Sequence, residues 1–220
     1  MKTISWKLLT LLVLVLPAAY LAYTWPALPT QIPTHFNAAG TADGFTAKEN
    51  MWLLCLGLPA GTYLLLTFLP RLDPKRRLDA NTTNYQKLQL LLVALMSGLS
   101  LFSLYAALHP SVQPGRGLAV VMGVFFALMG NYLTTVQPNY FVGFKTPWAL
   151  EFPLIWARTH RLGGWLFFAT GVLSAFLALV WSGEVGMSVL LTGVLGTTVA
   201  VYAYSYWLYQ QEMAAAKGVK

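Results

Sequence analysis

Charged residues are scarce in this sequence. Only 10% of its 220 residues are Asp, Glu, Lys or Arg, whereas 57% are hydrophobic. An ordinary soluble domain carries about 25% charged residues. So few charges cannot cover the surface of a water-soluble domain of this length. The composition therefore excludes an ordinary soluble protein and indicates a chain that is embedded in a membrane.

Cysteine is almost absent as well. Cys55 is the single cysteine and lies inside an apolar run, which excludes an intramolecular disulfide and a cysteine metal cage. The sequence also has no nucleophile elbow, no phosphate-binding loop and no pair of catalytic carboxylates at a recognisable spacing. We therefore expect neither enzymatic chemistry nor a bound cofactor.

Long apolar runs dominate what is present. A transmembrane helix needs roughly 20 mostly apolar residues, because its backbone must satisfy its own hydrogen bonds across about 30 Å of hydrocarbon. We expect the first run to be an uncleaved helix rather than a signal peptide, because bulky Tyr20, Tyr23 and Trp25 crowd the region where cleavage would occur. The six stretches that qualify are Trp6 to Tyr23, Met51 to Leu69, Leu88 to Leu108, Leu118 to Val136, Leu162 to Trp181 and Met187 to Tyr209.

The positions of Lys and Arg predict the orientation, because positive residues are retained in short cytoplasmic loops. With the N-terminus inside, only Lys48 and Arg116 of the fourteen basic residues fall outside. We therefore predict an all-α inner-membrane protein with about six transmembrane helices and both termini in the cytoplasm. The basic excess is a topology signal, and no nucleic-acid partner is expected. The inner basic residues are Lys2, Lys7, Arg71, Lys75, Arg76, Arg77, Lys87, Lys145, Arg158, Arg161, Lys217 and Lys220.

Three water-facing segments are long enough to matter. The outer segment, 24–50, contains three prolines followed by two glycines, which predicts an ordered, mostly non-helical cap. The first inner loop, 70–85, carries a basic cluster that we interpret as an anchor to anionic headgroups. The second inner segment, 137–161, mixes aromatic and basic side chains, as is typical of the membrane interface. Within it, the stretch around Glu151 to Thr159 is a candidate for a short interfacial helix.

Few polar side chains lie where they could take part in proton transport, ligand binding or metal binding. No ionisable residue lies deep in a predicted span, which argues against a proton-coupled pump. Asn131 is the most polar group well within a span, and we favour helix pairing over ligand contact for it. His35, Asp43 and Glu49 share the outer segment without a metal-ligand spacing, so no metal site is expected. His160 lies at the start of the predicted fifth helix. For this residue, a role as an interfacial anchor and a functional role stay equal alternatives.

Two blocks of the sequence carry a family resemblance. The outer block, LPTQIPTHFNAAGTADGFTAK at Leu28 to Lys48, resembles the N-terminal domain of unknown function that accompanies the SdpI family of membrane proteins. The inner block, GNYLTTVQPNYFVGFKTPWAL at Gly130 to Leu150, resembles the signature of that family. The resemblance implies a first helical pair, 1–69, with its outer loop 24–50. A four-helix region, 70–220, follows with an inner signature segment, 130–164.

The resemblance also implies a function. The family is named after an immunity protein that protects the cell producing a secreted killing peptide, and its founding member holds a transcriptional repressor at the membrane. For this chain the resemblance implies resistance to a toxin peptide outside, sequestration of a repressor inside and contact with membrane lipids. The implied binding residues are Asn131, Tyr132, Pro138, Asn139, Tyr140, Gly143, Lys145, Thr146, Pro147, Trp148, Trp156, His160 and Arg161 in the inner segment, and His35, Phe36, Asp43 and Lys48 in the outer one.

Two other functions stay open at this point. A transporter or channel for ions, small solutes or lipids is suggested by six spans and by Asn131 near the inner mouth, but the lack of buried ionisable residues argues against it. A membrane enzyme would have to use His160 as a general base. No carboxylate stands at a recognisable spacing to orient its imidazole, and no nucleophile is evident beside it. We therefore rank the enzyme last and expect none.

The orientation is testable with a membrane-impermeant thiol reagent on intact cells. Ala157→Cys, beside Arg158, is expected to stay unlabelled until the membrane is permeabilised, because the distribution of basic residues places it inside. Ala47→Cys in the outer segment is the positive control, and the parent chain with Cys55 alone gives the background. Ready labelling of Ala157→Cys from outside would overturn the orientation.

Overall fold

A computed structural model describes residues 5–37, 40–73, 78–111 and 114–218 of the chain. The predicted class, an all-α multi-pass membrane protein, is confirmed, while the cytoplasmic location of the termini stays a prediction. Of the predicted inner basic residues, Lys2, Lys75, Arg76, Arg77, Lys220 and the side chain of Lys217 lie outside the described part. The six helical stretches long and apolar enough to cross a membrane are Trp6–Ala27, Lys48–Leu72, Thr83–Leu108, Pro114–Leu133, Pro153–Val180 and Gly183–Ala216.

The described residues form seven α-helices and one β-hairpin. The helices are α1 (Trp6–Thr24), α2 (Leu58–Phe68), α3 (Thr83–Leu108), α4 (Pro114–Leu133), the short α5 (Pro147–Glu151), α6 (Pro153–Val180) and α7 (Gly183–Gly218). The strands β1 (Gln31–Phe36) and β2 (Ala42–Ala47) pair antiparallel between α1 and α2. We call the end of the bundle with the hairpin the outer end, and the end with residues 134–152 the inner end.

The hairpin is docked onto the outer ends of the helices. The ring of Phe36 packs against that of Phe102 on α3, with 5.4 Å between the ring centroids. Gly40 has a φ of +78°, and a Cβ there would overlap the backbone of Gly115 at the start of α4, so this turn requires glycine. The hairpin also shares an apolar core with the helices, formed by Leu21, Leu28, Ile32, Met51, Cys55 and Leu104.

The second span begins with a π-helical stretch, Leu53–Gly57, that Pro59 explains. The backbone N–H of Leu58 donates to the carbonyl of Leu53, five residues back. The carbonyl of Leu54 would then need the N–H of residue 59, which proline lacks. The hydroxyl of Ser100 on α3 donates to that carbonyl instead, at 2.9 Å. This hydrogen bond ties the second span to α3.

Helices α4 and α6 pack with their backbones in contact. Gly130 on α4 faces Gly164 on α6, and Gly123 on α4 faces Gly171 on α6. A Cβ at any of these four positions would overlap backbone atoms of the opposite helix. Small residues permit such close approach, and in a membrane the resulting van der Waals contact is a main source of helix association. Helix α7 then packs on α6, where the Ser174 hydroxyl donates to the Gly186 carbonyl at 2.8 Å.

Helix α6 begins earlier than the sequence predicts. The apolar stretch predicted a fifth span that starts at Leu162, but the helix runs without a break from Pro153. Proline suits this first turn, where a backbone N–H would have no partner. The separate short helix predicted around Glu151 to Thr159 is wrong, because residues 153–159 open α6, and the short helix α5 lies before them at Pro147–Glu151. The domain boundary near residue 70 stays a prediction. Helix α3, which follows that boundary in the chain, contacts both α1 before it and α4 after it.

The glycine contacts between α4 and α6 predict a specific loss of stability. Gly171→Ala is expected to lower the free energy of unfolding by about 1–3 kcal/mol, because its Cβ would force the two backbones apart. Gly196→Ala on α7 is the matched control, since nothing lies within 4 Å of its Cβ position. That control should be neutral or slightly stabilising, because alanine is the better helix former. Unfolding in mixed micelles, followed by tryptophan fluorescence, measures both, and equal effects would contradict the packing.

Candidate functional site

His160 joins the inner signature segment to α6. Its side chain is buried, and its Nε2 accepts the backbone N–H of Phe144 at 2.9 Å. The proton therefore sits on Nδ1, which donates to the Trp156 carbonyl at 2.9 Å. The Trp156 ring stacks on the imidazole with centroids 3.9 Å apart, and its Nε1 donates to the Val136 carbonyl at 2.9 Å. His160 is thus a neutral imidazole with both ring nitrogens engaged.

Gly143 makes room for the hydrogen bond between Phe144 and His160. Its φ is +116°, a conformation that favours glycine, and a Cβ there would overlap Nε2 of His160. The Phe144 ring then lies over Gly163, where a Cβ would overlap the ring. On its other side it packs against Phe167, with centroids 5.3 Å apart. Gly143 and Gly163 therefore allow the inner signature segment to pack closely on α6.

Asn139 organises the turn that precedes Gly143. Its buried amide nitrogen donates to the carbonyls of Gln137 and Val142, at 2.8 and 3.1 Å. Its Oδ1 accepts the backbone N–H groups of Phe141 and Val142, at 2.8 and 2.7 Å. All four hydrogen-bonding positions of the side-chain amide are used within the turn. Asn139 is therefore a structural residue, with Pro138 and Tyr140 half-buried on either side of it.

Thr146 connects the segment to α7. It is the N-cap of α5, where its hydroxyl accepts the backbone N–H of Ala149 at 3.1 Å. The same hydroxyl shares a buried hydrogen bond of 2.5 Å with that of Ser205 on α7. Pro147 follows at the first helical position, and Trp148 packs against Tyr206 with centroids 5.0 Å apart. A movement of α7 would therefore also displace this segment.

A second group of the implied residues lies at an open groove. Arg161 and Asn131 are both exposed at the inner end. They line a cavity of about 500 Å³ between α6 and α4, which we call the α4/α6 groove, together with Gly130, Thr134, Gly164, Trp165 and Phe168. The groove presents a guanidinium, an amide and an indole beside apolar walls. This combination suits a ligand with an apolar body and a hydrogen-bond acceptor or negative charge.

Lys145 and Tyr132 lie outside the α4/α6 groove. Lys145 is exposed at the inner surface, and its ammonium donates to the Phe141 carbonyl at 3.4 Å. Tyr132 points to the other side of α4, where it lines a cavity against α3. The residues implied by the resemblance therefore divide into a buried scaffold around His160 and several separate surfaces.

The implied outer residues support the hairpin, at the opposite end of the bundle. His35 Nδ1 and Asp43 Oδ1 lie 2.5 Å apart across the two strands, and both side chains are exposed. Lys48 donates to the Leu28 carbonyl at 3.3 Å, and its ammonium lies 4.7 Å from the centre of the Trp25 ring. Phe36 packs on α3. Within the described ranges, no group of three His, Cys, Asp or Glu side chains could hold a metal ion.

Some residues of the site were missed by the sequence reasoning. Trp165 lies four residues after Arg161, and Thr134 three residues after Asn131, so helical spacing places each pair on one face and could have found them. Ser205 gave no such signal, because its partner Thr146 is 59 residues away in the chain. Contacts across that separation become visible only in the folded protein.

The division into scaffold and surface residues is testable with two neighbouring residues. His160→Phe keeps the ring volume but leaves the Phe144 N–H unpaired, so it is expected to lower the free energy of unfolding by about 1–3 kcal/mol. Arg161→Gln, on the exposed side, should change it by less than about 0.5 kcal/mol. Unfolding in mixed micelles measures both variants. A His160→Phe protein that is as stable as the parent would refute the structural role of His160.

Two family models match separate parts of the chain. A family model described as a domain of unknown function, DUF1648, matches residues 12–58, which contain most of α1 and the hairpin. The model of the SdpI/YfhL protein family matches residues 135–206, which contain the inner segment, α6 and much of α7. No solved structure matches the chain significantly.

One curated relative is the Immunity protein SdpI of Bacillus subtilis (strain 168). It is 25% identical over 113 residues, which cover 51% of this chain and 54% of that protein. The chain thus matches about half the length of this relative. Two family models in the expected order, the named relative and six apolar helices lead to one conclusion. The chain belongs to the SdpI family of multi-pass bacterial membrane proteins.

Proposed function

We propose that this protein is an immunity and receptor protein, which binds a secreted antimicrobial peptide and holds a cytoplasmic repressor when the peptide is bound. The name of the relative, an immunity protein, motivates the proposal. The observation that carries it is the α4/α6 groove, which is lined by the exposed Arg161, the neighbour in the chain of the buried His160. This site resembles a recognition surface more than a reaction centre.

The chemistry of the α4/α6 groove favours binding over catalysis. The Arg161 guanidinium offers several hydrogen-bond donors in a fixed fork, which suits a peptide carboxylate or main-chain carbonyls. Trp165 is 62% exposed and Phe168 is 40% exposed, so both rings can pack against an apolar peptide within the bilayer. His160, the one imidazole near this groove in the described chain, has both ring nitrogens engaged and is not free to act as a general base.

The contacts of the inner segment provide a physical link from the peptide to a partner inside. The α4/α6 groove lies at the seam between two helices, so a bound peptide would shift their spacing. His160 on α6 accepts the backbone N–H of residue 144, and Ser205 on α7 shares a hydrogen bond with Thr146. In the proposal, the segment between these two attachment points changes position and alters the surface around Lys145. The hairpin at the outer end is the first surface that an arriving peptide meets.

Protection of a sensitive host tests this proposal. Cells that express the chain are challenged with a panel of secreted hydrophobic peptides, and survival is compared at equal membrane levels of each variant. Arg161→Gln is expected to reduce protection about 10- to 100-fold, because a hydrogen bond to a charged group contributes about 1.5–3 kcal/mol. Arg158→Gln, an exposed change of the same charge outside the groove, should protect like the parent. Unchanged killing of parent cells across the panel would count decisively against immunity.

A further inference from the structure

A furrow follows the seam between α3 and α4, on the other side of α4 from Arg161. It consists of three adjoining cavities of about 320, 430 and 260 Å³, from the inner end towards the middle of the helices. Asn84, Tyr132 and Thr135 line both the first and the second cavity. Leu91, Ala94 and Leu128 line both the second and the third. The shared lining residues place the three cavities next to one another along the seam, and we call them together the α3/α4 furrow.

The lining of the α3/α4 furrow changes from polar to apolar along its length. Asn84 and Lys87, on the first turns of α3, and Tyr132 on α4 stand at the inner part. Between Asn84 and Leu95, α3 rises about 16 Å, which is close to half of the roughly 30 Å hydrocarbon thickness. The furrow therefore spans about one leaflet. Its deep part is lined by Leu91, Ala94, Leu95, Val120, Val121, Val124, Phe125 and Leu128.

Lys87 provides the positive charge at the polar end of the furrow. Its side chain is exposed, and its ammonium lies 5.6 Å from the centre of the Trp6 ring on α1. A second cation, Lys7, lies in the same region, where it donates to Asn81 Oδ1 at 3.3 Å. Asp79 is the acidic group of the furrow, at its inner edge, and its Oδ1 accepts the backbone N–H of Asn81 at 2.8 Å.

We propose that the α3/α4 furrow binds one phospholipid, with its phosphate at Lys87 and an acyl chain along the seam. The order of the lining, from a cation beside amide and phenol donors to apolar walls, matches the order of phosphate and acyl chain in such a lipid. An extended peptide fits the deep part poorly, because apolar walls would leave its backbone N–H and C=O groups without partners. An acyl chain has no such groups. This site does not depend on the proposed immunity function.

Photocrosslinking of the purified full chain tests the position of the acyl chain. A phospholipid with a photoreactive group in its acyl chain is expected to label peptides from the deep walls of α3 and α4. Ala94→Phe fills the furrow with a ring and should abolish that labelling. Ala203→Phe, an exposed position on α7, is the matched control and should label like the parent. Labelling spread evenly over all six spans, or unchanged in Ala94→Phe, would overturn the proposal.

A second variant tests recognition of the phosphate. Lys87→Gln is expected to lower crosslinking about fivefold, as for the loss of one basic contact to a headgroup. Arg158→Gln removes an exposed charge at the same end of the bundle and should leave crosslinking unchanged. Unlabelled phosphatidylglycerol and phosphatidylethanolamine should compete, whereas diacylglycerol, which lacks the phosphate, should not. Equal competition by diacylglycerol would refute phosphate recognition. The assay contains no toxin peptide, so its outcome is separate from that of the protection assay.

Discussion

The inner half of this protein depends on the backbone contact between α4 and α6. In hydrocarbon, apolar side chains gain little by leaving lipid for a helix interface, so association relies on close van der Waals packing. Glycines at 123, 130, 164 and 171 allow that approach, and a Cβ at any of them would meet the backbone opposite. This contact sets where α6 emerges at the inner end. The position of His160 relative to residues 143 and 144 follows from it.

Three buried polar side chains of the inner segment are paired by hydrogen bonds that hold its conformation. His160, Asn139 and Thr146 each use their side chains to hold backbone or hydroxyl partners within the segment or on α7. Such groups are costly when unpaired in a nonpolar environment, so a satisfied set specifies one conformation. Their presence in a family signature is therefore explained by structure. In the proposed function, recognition falls to the residues that the scaffold leaves exposed, above all Arg161.

Two surfaces of different chemistry lie on opposite sides of α4. The α4/α6 groove presents Arg161 and Trp165, and the α3/α4 furrow presents Lys87 above apolar walls. Asn131 lines both cavities. A lipid on one side and a peptide on the other would thus share one helix and one polar side chain. A change in the position of α4 is the simplest physical way in which occupancy of one surface would affect the other.

The class of the protein and its six spans were set by local composition, because the apolar length needed to cross hydrocarbon can be counted along the chain. The resemblance located segments at both ends that the family models also match, and helical spacing was able to pair Arg161 with Trp165. The β-hairpin, the early start of α6 at Pro153 and the buried state of His160 were decided by tertiary structure. Tertiary structure also decided which signature residues are structural and which are exposed. The reason is physical: burial depends on partners 16 residues away for His160 and 59 for Thr146, and no local pattern encodes which of these groups meet.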